Sequence, residues 1–128
     1  MLSNSNKSEI AVLKVELEAN KKGYSVSLPR NGSSRYDLIV DSGTKLYRCQ
    51  IKYLNRLANK GRSLELVLSS PTNKIKPYSK EDVDLLLIYL PSKDCILCIK
   101  PERFHNRNTF IFNMINKSAP TYFEKYLW

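Results

Sequence analysis

The spacing of apolar residues changes period several times along this chain, and each change marks an element. In NSNKSEIAVLKVELEANKKG, residues 4–23, Ile10, Leu13 and Leu17 recur at helical spacing and define the apolar face of a first helix. Ser5 or Asn6 is placed to cap its start, and Gly23 ends it after Lys21 and Lys22. YSVSLP alternates as a short strand stopped by Pro29, and RNGSS is a turn. YDLIVDSGTKLYRCQIKYL predicts two strands around DSGT, a hairpin in which Gly43 supplies a positive φ. SLELVLS alternates again as a fourth strand. LLLIYL is a continuous apolar run, the mark of a strand buried on both faces, and CILCIK beyond the PSKD turn is its hairpin partner. The closing TYFEKYLW follows Pro120 and reads as helical. One helix, a strand meander and then short mixed elements predict an α+β or α/β fold on one central mixed sheet.

Alternation gives the hairpin a polar face. Arg48, Gln50 and Lys52 share one side of their strand, while Cys49, Ile51 and Tyr53 share the other and can pack against a helix. With Ser42 and Gly43 as a two-residue turn, Asp41 pairs with Thr44 and Asp37 lies opposite Arg48. A loop of slightly different length moves Asp37 toward Gln50. In either register a carboxylate, an amide and an ammonium gather at one end of one hairpin face.

Composition bounds what that face serves. A chain of 128 residues forms one domain with one core. No apolar run approaches the ~20 residues that span a membrane. MLSNSNKSEI lacks the basic and apolar regions of a secretory signal. Three cysteines, an odd count, point to a reducing cytoplasm rather than a disulfide framework. The net charge of +9 is concentrated: residues 42–80 carry nine basic side chains against one acidic, and the flanking segments are nearly balanced. Most of these residues fall in two loops, at about 54–63 and 70–80. They favour a polyanionic partner held through phosphates, most simply nucleic acid. The candidate contacts are Arg35, Arg48, Arg56, Lys60, Arg62, Lys74, Lys76 and Lys80.

The hairpin cluster suits a hard cation. The Asp37 carboxylate and the Gln50 side-chain oxygen can hold a divalent ion such as Mg²⁺, and the Ile51 carbonyl can complete the set. Lys52 can orient or deprotonate a water, or offset charge on a phosphoryl oxygen. Glu9 joins by inference, because an early carboxylate on the first helix reaches the ion if that end abuts the hairpin. Other chemistry fits less well. Cys95 and Cys98 point to opposite faces of a strand and His105 is the only histidine, so no zinc site is expected. Ser33 and Ser34 have no histidine partner for nucleophilic work.

The YD at 36–37, followed by a strand, a turn and QIK at 50–52, resembles the PD-(D/E)XK nuclease superfamily, with Gln50 in place of the acidic residue. KSEIAVLKVELEANKKGYSVSLP is similar to the first helix and strand of its intron-encoded homing-endonuclease and Holliday-junction-resolvase-like branches. YSKEDVDLLLIYLPSKDCILCIK resembles the segment after the core in small single-domain members. The resemblance spans residues 7–100. It implies a restriction-endonuclease-like core, a central mixed sheet flanked by helices, and a single domain over residues 1–128. It further implies a DNA endonuclease using Mg²⁺, with Mn²⁺ able to substitute. Glu9, Asp37 and Gln50 would be metal-site residues and Lys52 the catalytic lysine. The homing branch, which accepts Gln at this place, implies site-specific cleavage of double-stranded DNA. A resolvase-like nuclease and an inactive DNA-binding module remain open beside it. Since one domain has one active site and a duplex two strands, a homodimer or homotetramer is expected. The aromatic extension 101–128 is read as partly core and partly subunit interface.

Overall fold

The computed structural model describes residues 1–69 and 76–128 of the chain. Lys74 therefore lies outside the described residues. Helix α1, Asn4–Lys21, starts earlier than its pattern predicts, because Ser3 is the cap: its Oγ accepts the Asn6 N–H at 3.1 Å. Ser5 and Asn6 are inside the helix. Gly23, at φ +79°, closes it, with the Tyr24 N–H on the Ala19 carbonyl at 2.9 Å and the Gly23 N–H on the Asn20 carbonyl at 3.0 Å.

The expected apolar face of α1 is corrected. Ala11, Val15 and Ala19 are buried, whereas Leu13 and Leu17 are 53% and 51% exposed. Small side chains at i, i+4 and i+8 let the helix backbone lie close to a sheet, which a leucine stripe would hold away. A pattern weighted by size selects the leucines; packing selects the alanines.

The remaining elements are β1 (Ser25–Ser27), β2 (Leu38–Asp41), β3 (Leu46–Tyr53), β4 (Leu57–Ala58), β5 (Ser63–Val67), β6 (Leu85–Leu90), β7 (Cys95–Ile99), α2 (Pro101–Phe104) and β8 (Thr109–Asn113). Five strands form a mixed sheet in the order β1-β2-β3-β6-β7, with only β3 and β6 parallel. A parallel neighbour requires a long crossover, and residues 54–84 supply it. The expected central mixed sheet is present, and the crossover adds a second sheet to it. SLELVLS is β5, which sits in a second, three-stranded sheet ordered β4-β5-β8.

Two cores follow from the two layers. Leu85, Leu87 and Tyr89 of β6 pack with Ala11 and Val15 of α1 and with Leu38, Val40, Cys49 and Ile51. Leu86, Ile88 and Leu90 face the other way, onto Leu64, Leu66, Phe104 and Phe112. Both faces of β6 are thus covered, and all six of its residues are buried, as the run LLLIYL predicts. The closing TYFEKYLW is not an α-helix but a 3-10 turn over Phe123–Tyr126. Tyr122 and Phe123 are buried, and Tyr126 meets Phe110 and Phe112 edge-on at 5.6 Å, so this part of the tail belongs to the core. Cys49, Cys95 and Cys98 are free thiols, and burial pushes Cys49 up to about 12 and Cys98 up to about 11. No described helix is long and apolar enough to cross a membrane.

The hairpin turn is longer than the two residues predicted from DSGT. Asp41 pairs with Leu46 across a four-residue loop, in which Asp41 Oδ1 accepts the Gly43 N–H at 2.8 Å and the Ser42 N–H reaches the Lys45 carbonyl at 3.0 Å. Gly43, at φ +90°, permits this closure. Leu38 consequently pairs with Cys49 and Ile39 with Arg48. Asp37 lies just beyond the last pair, with its N–H on the Cys49 carbonyl at 2.8 Å, and is not opposite Arg48.

Arg48 has a structural role. Its Nε and Nη2 each meet the Asp84 carboxylate at 3.1 Å, its own N–H donates to Asp84 Oδ2 at 2.8 Å, and Nη1 donates to the Glu81 carbonyl at 2.6 Å. The pair pins the entry of β6 to β3, and the guanidinium beside Asp84 holds its carboxyl below the usual 3.8. Because that pKa is depressed on folding, the stabilisation is complete above 3.8 and is lost as pH falls through the lower folded value. Asp84→Asn is expected to cost about 1–2 kcal/mol, the scale of charge-assisted hydrogen bonds at a part-exposed site. Thermal melts at pH 7 and pH 3 check this: the deficit should be large at pH 7 and small at pH 3.

Candidate active site

A cavity of about 390 Å³ opens where the first sheet splits, lined by Asp37, by Gln50, Ile51, Lys52 and Tyr53 of β3, by Asn55, and by Asn4, Lys7, Ser8 and Val12 of α1. Strand lengths create the split. β2 begins at Leu38 whereas β3 runs on to Tyr53, so beyond Cys49 one side of β3 has no ladder partner. Even-numbered residues bond toward β6: the Asp84 N–H reaches the Arg48 carbonyl at 2.8 Å and the Leu54 N–H reaches Tyr89 at 2.9 Å. By alternation, Ile51 directs its N–H and carbonyl to the vacated side.

Asp37 fills that vacancy. Its own N–H donates to the Cys49 carbonyl at 2.8 Å, and its Oδ2 accepts the Ile51 N–H at 2.8 Å. The carboxylate replaces the next rung of the ladder, and Asp37, Gln50 and Ile51 line the cavity together. Burial pushes the Asp37 carboxyl above its ordinary value, against the opposing pull of the Ile51 N–H and the Lys52 ammonium. Lys52 shares the face of Gln50, and its Nζ donates to the Tyr78 hydroxyl at 3.1 Å.

Glu9 is not brought to this cavity; it is exposed and absent from the lining. The reason is helix face. Glu9, Leu13 and Leu17 form one i, i+4 row, which points to solvent about 200° around from the Ala11–Val15–Ala19 row. Ser8, one residue earlier, lines the cavity with Asn4, Lys7 and Val12. The signal that could have found Ser8 is its place one turn before Val12 and Ala11, on the small-residue side of the helix.

The basic residues divide in two. Arg56, Lys60, Arg62, Lys76 and Lys80 are exposed, and none makes an ion pair among the described residues. The first three sit on or beside the β4–β5 hairpin, whose tip, Asn59–Lys60–Gly61, has three consecutive positive φ values. Arg35 and Arg48 are engaged inside the fold instead. Arg35 Nη2 donates to the carbonyls of Lys76 and Pro77 at 3.2 Å, and its guanidinium carbon lies 4.6 Å from the centre of the Tyr78 ring. Both guanidinia are therefore committed to partners within the fold while staying partly exposed, at 38% and 36% of the side chain. Tyr78 and Asn55 carried no signal in the sequence pattern.

Among the described residues no three His, Cys, Asp or Glu side chains converge. The residues that would offer donors to a cation here are Asp37 through its carboxylate, Gln50 through its amide oxygen and Ile51 through its carbonyl. These are hard oxygen donors with a single negative charge, a set that fits a divalent ion retaining several waters.

The family model described as PD-(D/E)XK endonuclease matches residues 2–119, and nucleases of that family generally use divalent metal ions. No curated protein matches significantly. The fold is similar to that of the bacterial homing endonuclease I-Ssp6803I, with a TM-score of 0.82 and 20% identity over 98% of this chain and 89% of that one. It is also similar to Hjc, a Holliday junction resolvase of the archaeal hyperthermophile Archaeoglobus fulgidus, with a TM-score of 0.54 and 13% identity over 84% of each chain. With the family match spanning nearly the whole chain and the Asp37–Gln50–Lys52 arrangement standing at the split in its sheet, this chain belongs to the PD-(D/E)XK endonuclease family.

Proposed function

We propose that this chain is a Mg²⁺-dependent endonuclease that hydrolyses phosphodiester bonds in double-stranded DNA, acting as a site-specific homing endonuclease. The observation that carries the reading is the meeting of Asp37, Gln50, the Ile51 carbonyl and Lys52 at one cavity, in a chain of this nuclease family. Asp37, Gln50 and Ile51 would hold Mg²⁺, or Mn²⁺ in its place, and the ion supplies Lewis-acid stabilisation of the phosphoryl group and a lowered pKa for water. Asp37 orients its free oxygen through the Ile51 hydrogen bond. Lys52 orients the attacking water and offsets charge developing on the phosphoryl oxygen. Gln50 adds an oxygen without a charge, which favours loose, readily exchanged metal binding.

The exposed cations Arg56, Lys60, Arg62, Lys76 and Lys80 would bind phosphates on either side of the cut. The reading favours a homing endonuclease over a resolvase because the likeness to the homing enzyme is higher in TM-score, 0.82 against 0.54, and covers more of the chain. Cutting two strands with one cavity per chain calls for a homodimer or homotetramer. Ile111 and Ile115, 51% and 65% exposed in the C-terminal part, offer apolar surface for such an interface.

The test is incubation of a randomised duplex library and a mobile four-way junction with the protein in Mg²⁺ or Mn²⁺. Cleavage at one enriched, roughly palindromic duplex sequence is expected. Junction cutting without a preferred duplex sequence would favour the resolvase reading, and no cutting of either would leave a DNA-binding module. Duplex affinity should fall with salt at a log–log slope of about −4 to −5 per subunit, from roughly −0.9 for each of the five exposed cations. Fluorescence anisotropy from 50 to 300 mM salt measures it, and a flat response would remove the electrostatic part of the proposal.

A further inference from the structure

Lys52 is the one residue of the proposed machinery on a long, flexible side chain, and a lysine at a strand surface samples many rotamers. Here it is tethered. Its Nζ donates to the Tyr78 hydroxyl at 3.1 Å and lies 5.0 Å from the centre of the Tyr78 ring. Tyr78 comes from the crossover, 26 residues further along the chain, and is only 6% exposed.

The ring is itself immobilised from three directions. Its surroundings include the second core, with Leu54, Val83 and Phe104 in the same cluster. The Asn106 N–H donates to the Tyr78 carbonyl at 3.0 Å. The Arg35 guanidinium packs against the ring at 4.6 Å, donates to the carbonyls of Lys76 and Pro77, and approaches Asp82 at 3.7 Å. Arg35 is two residues before Asp37, so a single packed unit joins the segment that presents the carboxylate to the residue that holds the ammonium.

We propose that Tyr78 is a positioning residue for phosphodiester hydrolysis, holding the Lys52 ammonium at the cavity so that it need not be ordered when DNA arrives. The proposal rests on the nuclease reading above. A preset ammonium is worth more in the reaction than a mobile one because its ordering cost has been met during folding. Arg35 acts one step further out, as the side chain that fixes the ring. Neither residue lines the cavity, so both act through Lys52 rather than on the metal donors.

Tyr78→Phe removes the hydroxyl and keeps the ring for the core and for Arg35. The expected result, on the duplex recovered from the library, is a single-turnover rate lowered about tenfold, the scale of one charge-assisted hydrogen bond. Duplex affinity and melting temperature should stay near wild type. A second measurement reads the tether without catalysis. In protein labelled with ¹³C-lysine, the Lys52 ε-methylene protons should be shifted upfield by the Tyr78 ring and should move toward ordinary lysine positions in Tyr78→Phe. A Tyr78→Phe enzyme cutting at the wild-type rate, or Lys52 resonances unchanged by the substitution, would overturn the positioning role. Wild-type protein that cuts neither duplex nor junction would instead overturn the nuclease reading, and with it any role for Tyr78 in hydrolysis.

Discussion

Asp37→Asn is expected to abolish cleavage while leaving the protein at least as stable as wild type. Asparagine keeps the shape, and its amide oxygen can still accept the Ile51 N–H that Oδ2 accepts at 2.8 Å, so the rung that closes the split between β2 and β3 survives. What disappears is the only negative charge in the cavity lining among the described residues. Without it the remaining donors are an amide and a carbonyl, too weak together to hold a hydrated divalent ion. The loss of activity should be roughly a thousandfold or more, the scale of removing a principal charge-stabilising element. Stability should move the other way. Burial raises the Asp37 pKa, so the ionised carboxylate works against folding: its neutral form favours the fold at low pH, and that benefit is lost as pH rises through the folded value. Asp37→Asn should therefore raise the melting temperature at pH 8 by about 2–4 °C for a domain of this size, with little change near pH 3. Adding Mg²⁺ or Mn²⁺ should stabilise wild type and not the variant. A variant that melts well below wild type at pH 8 would mean that Asp37 is chiefly a structural strand cap. Duplex binding in the absence of metal should survive, since the exposed cations of the two loops are untouched.

The site's polar face was legible in the sequence because strands have a period of two. Gln50 and Lys52 must share a side whatever the tertiary structure does, and an aspartate heading the partner strand must lie near one end of it. The buried strand LLLIYL was legible for the same reason: only a strand covered on both sides tolerates six apolar residues in a row. The register that carries Asp37 past Arg48 to the cavity lined by Gln50 was not, because it depends on the length of one turn. DSGT supports a two-residue turn by composition, but the Asp41 carboxylate on the Gly43 N–H and the Ser42–Lys45 closure stabilise a four-residue loop, and two added residues move the register. Glu9 was placed by its position near the start of α1 and by the family resemblance, and in the fold it is exposed and outside the cavity lining. The apolar face of α1 was misplaced because its leucines outweigh its alanines in hydrophobicity, yet close approach to the sheet rewards the alanines. The second sheet joins β5 to β8 across more than forty residues, and Tyr78 reaches Lys52 across 26. No local pattern contains either.

Lys52→Met should lower the cleavage rate about a hundredfold to a thousandfold, the range for loss of one group that stabilises charge in a transition state. Methionine keeps an unbranched apolar stem against its neighbours on β3 and removes only the ammonium, so folding and duplex affinity should change little. Lys52→Arg should not restore the rate. A guanidinium is a broad planar fork with its charge spread over three nitrogens, and the lysine ammonium occupies a compact position 3.1 Å from the Tyr78 hydroxyl. The pH dependence separates two ways in which Lys52 could act. Its charge lowers the pKa of Asp37, so losing it raises that pKa further and weakens cation binding at mildly acid pH. If Lys52 worked only through Asp37, raising the pH and the metal concentration would restore Lys52→Met to the wild-type rate. If it works on the phosphoryl group or the attacking water, the deficit persists at saturating metal and pH 9. Persistence is the expected result, measured as single-turnover rates across that range. Full recovery would reduce Lys52 to an electrostatic partner of the carboxylate, and would remove the reason for Tyr78 to hold it at the cavity.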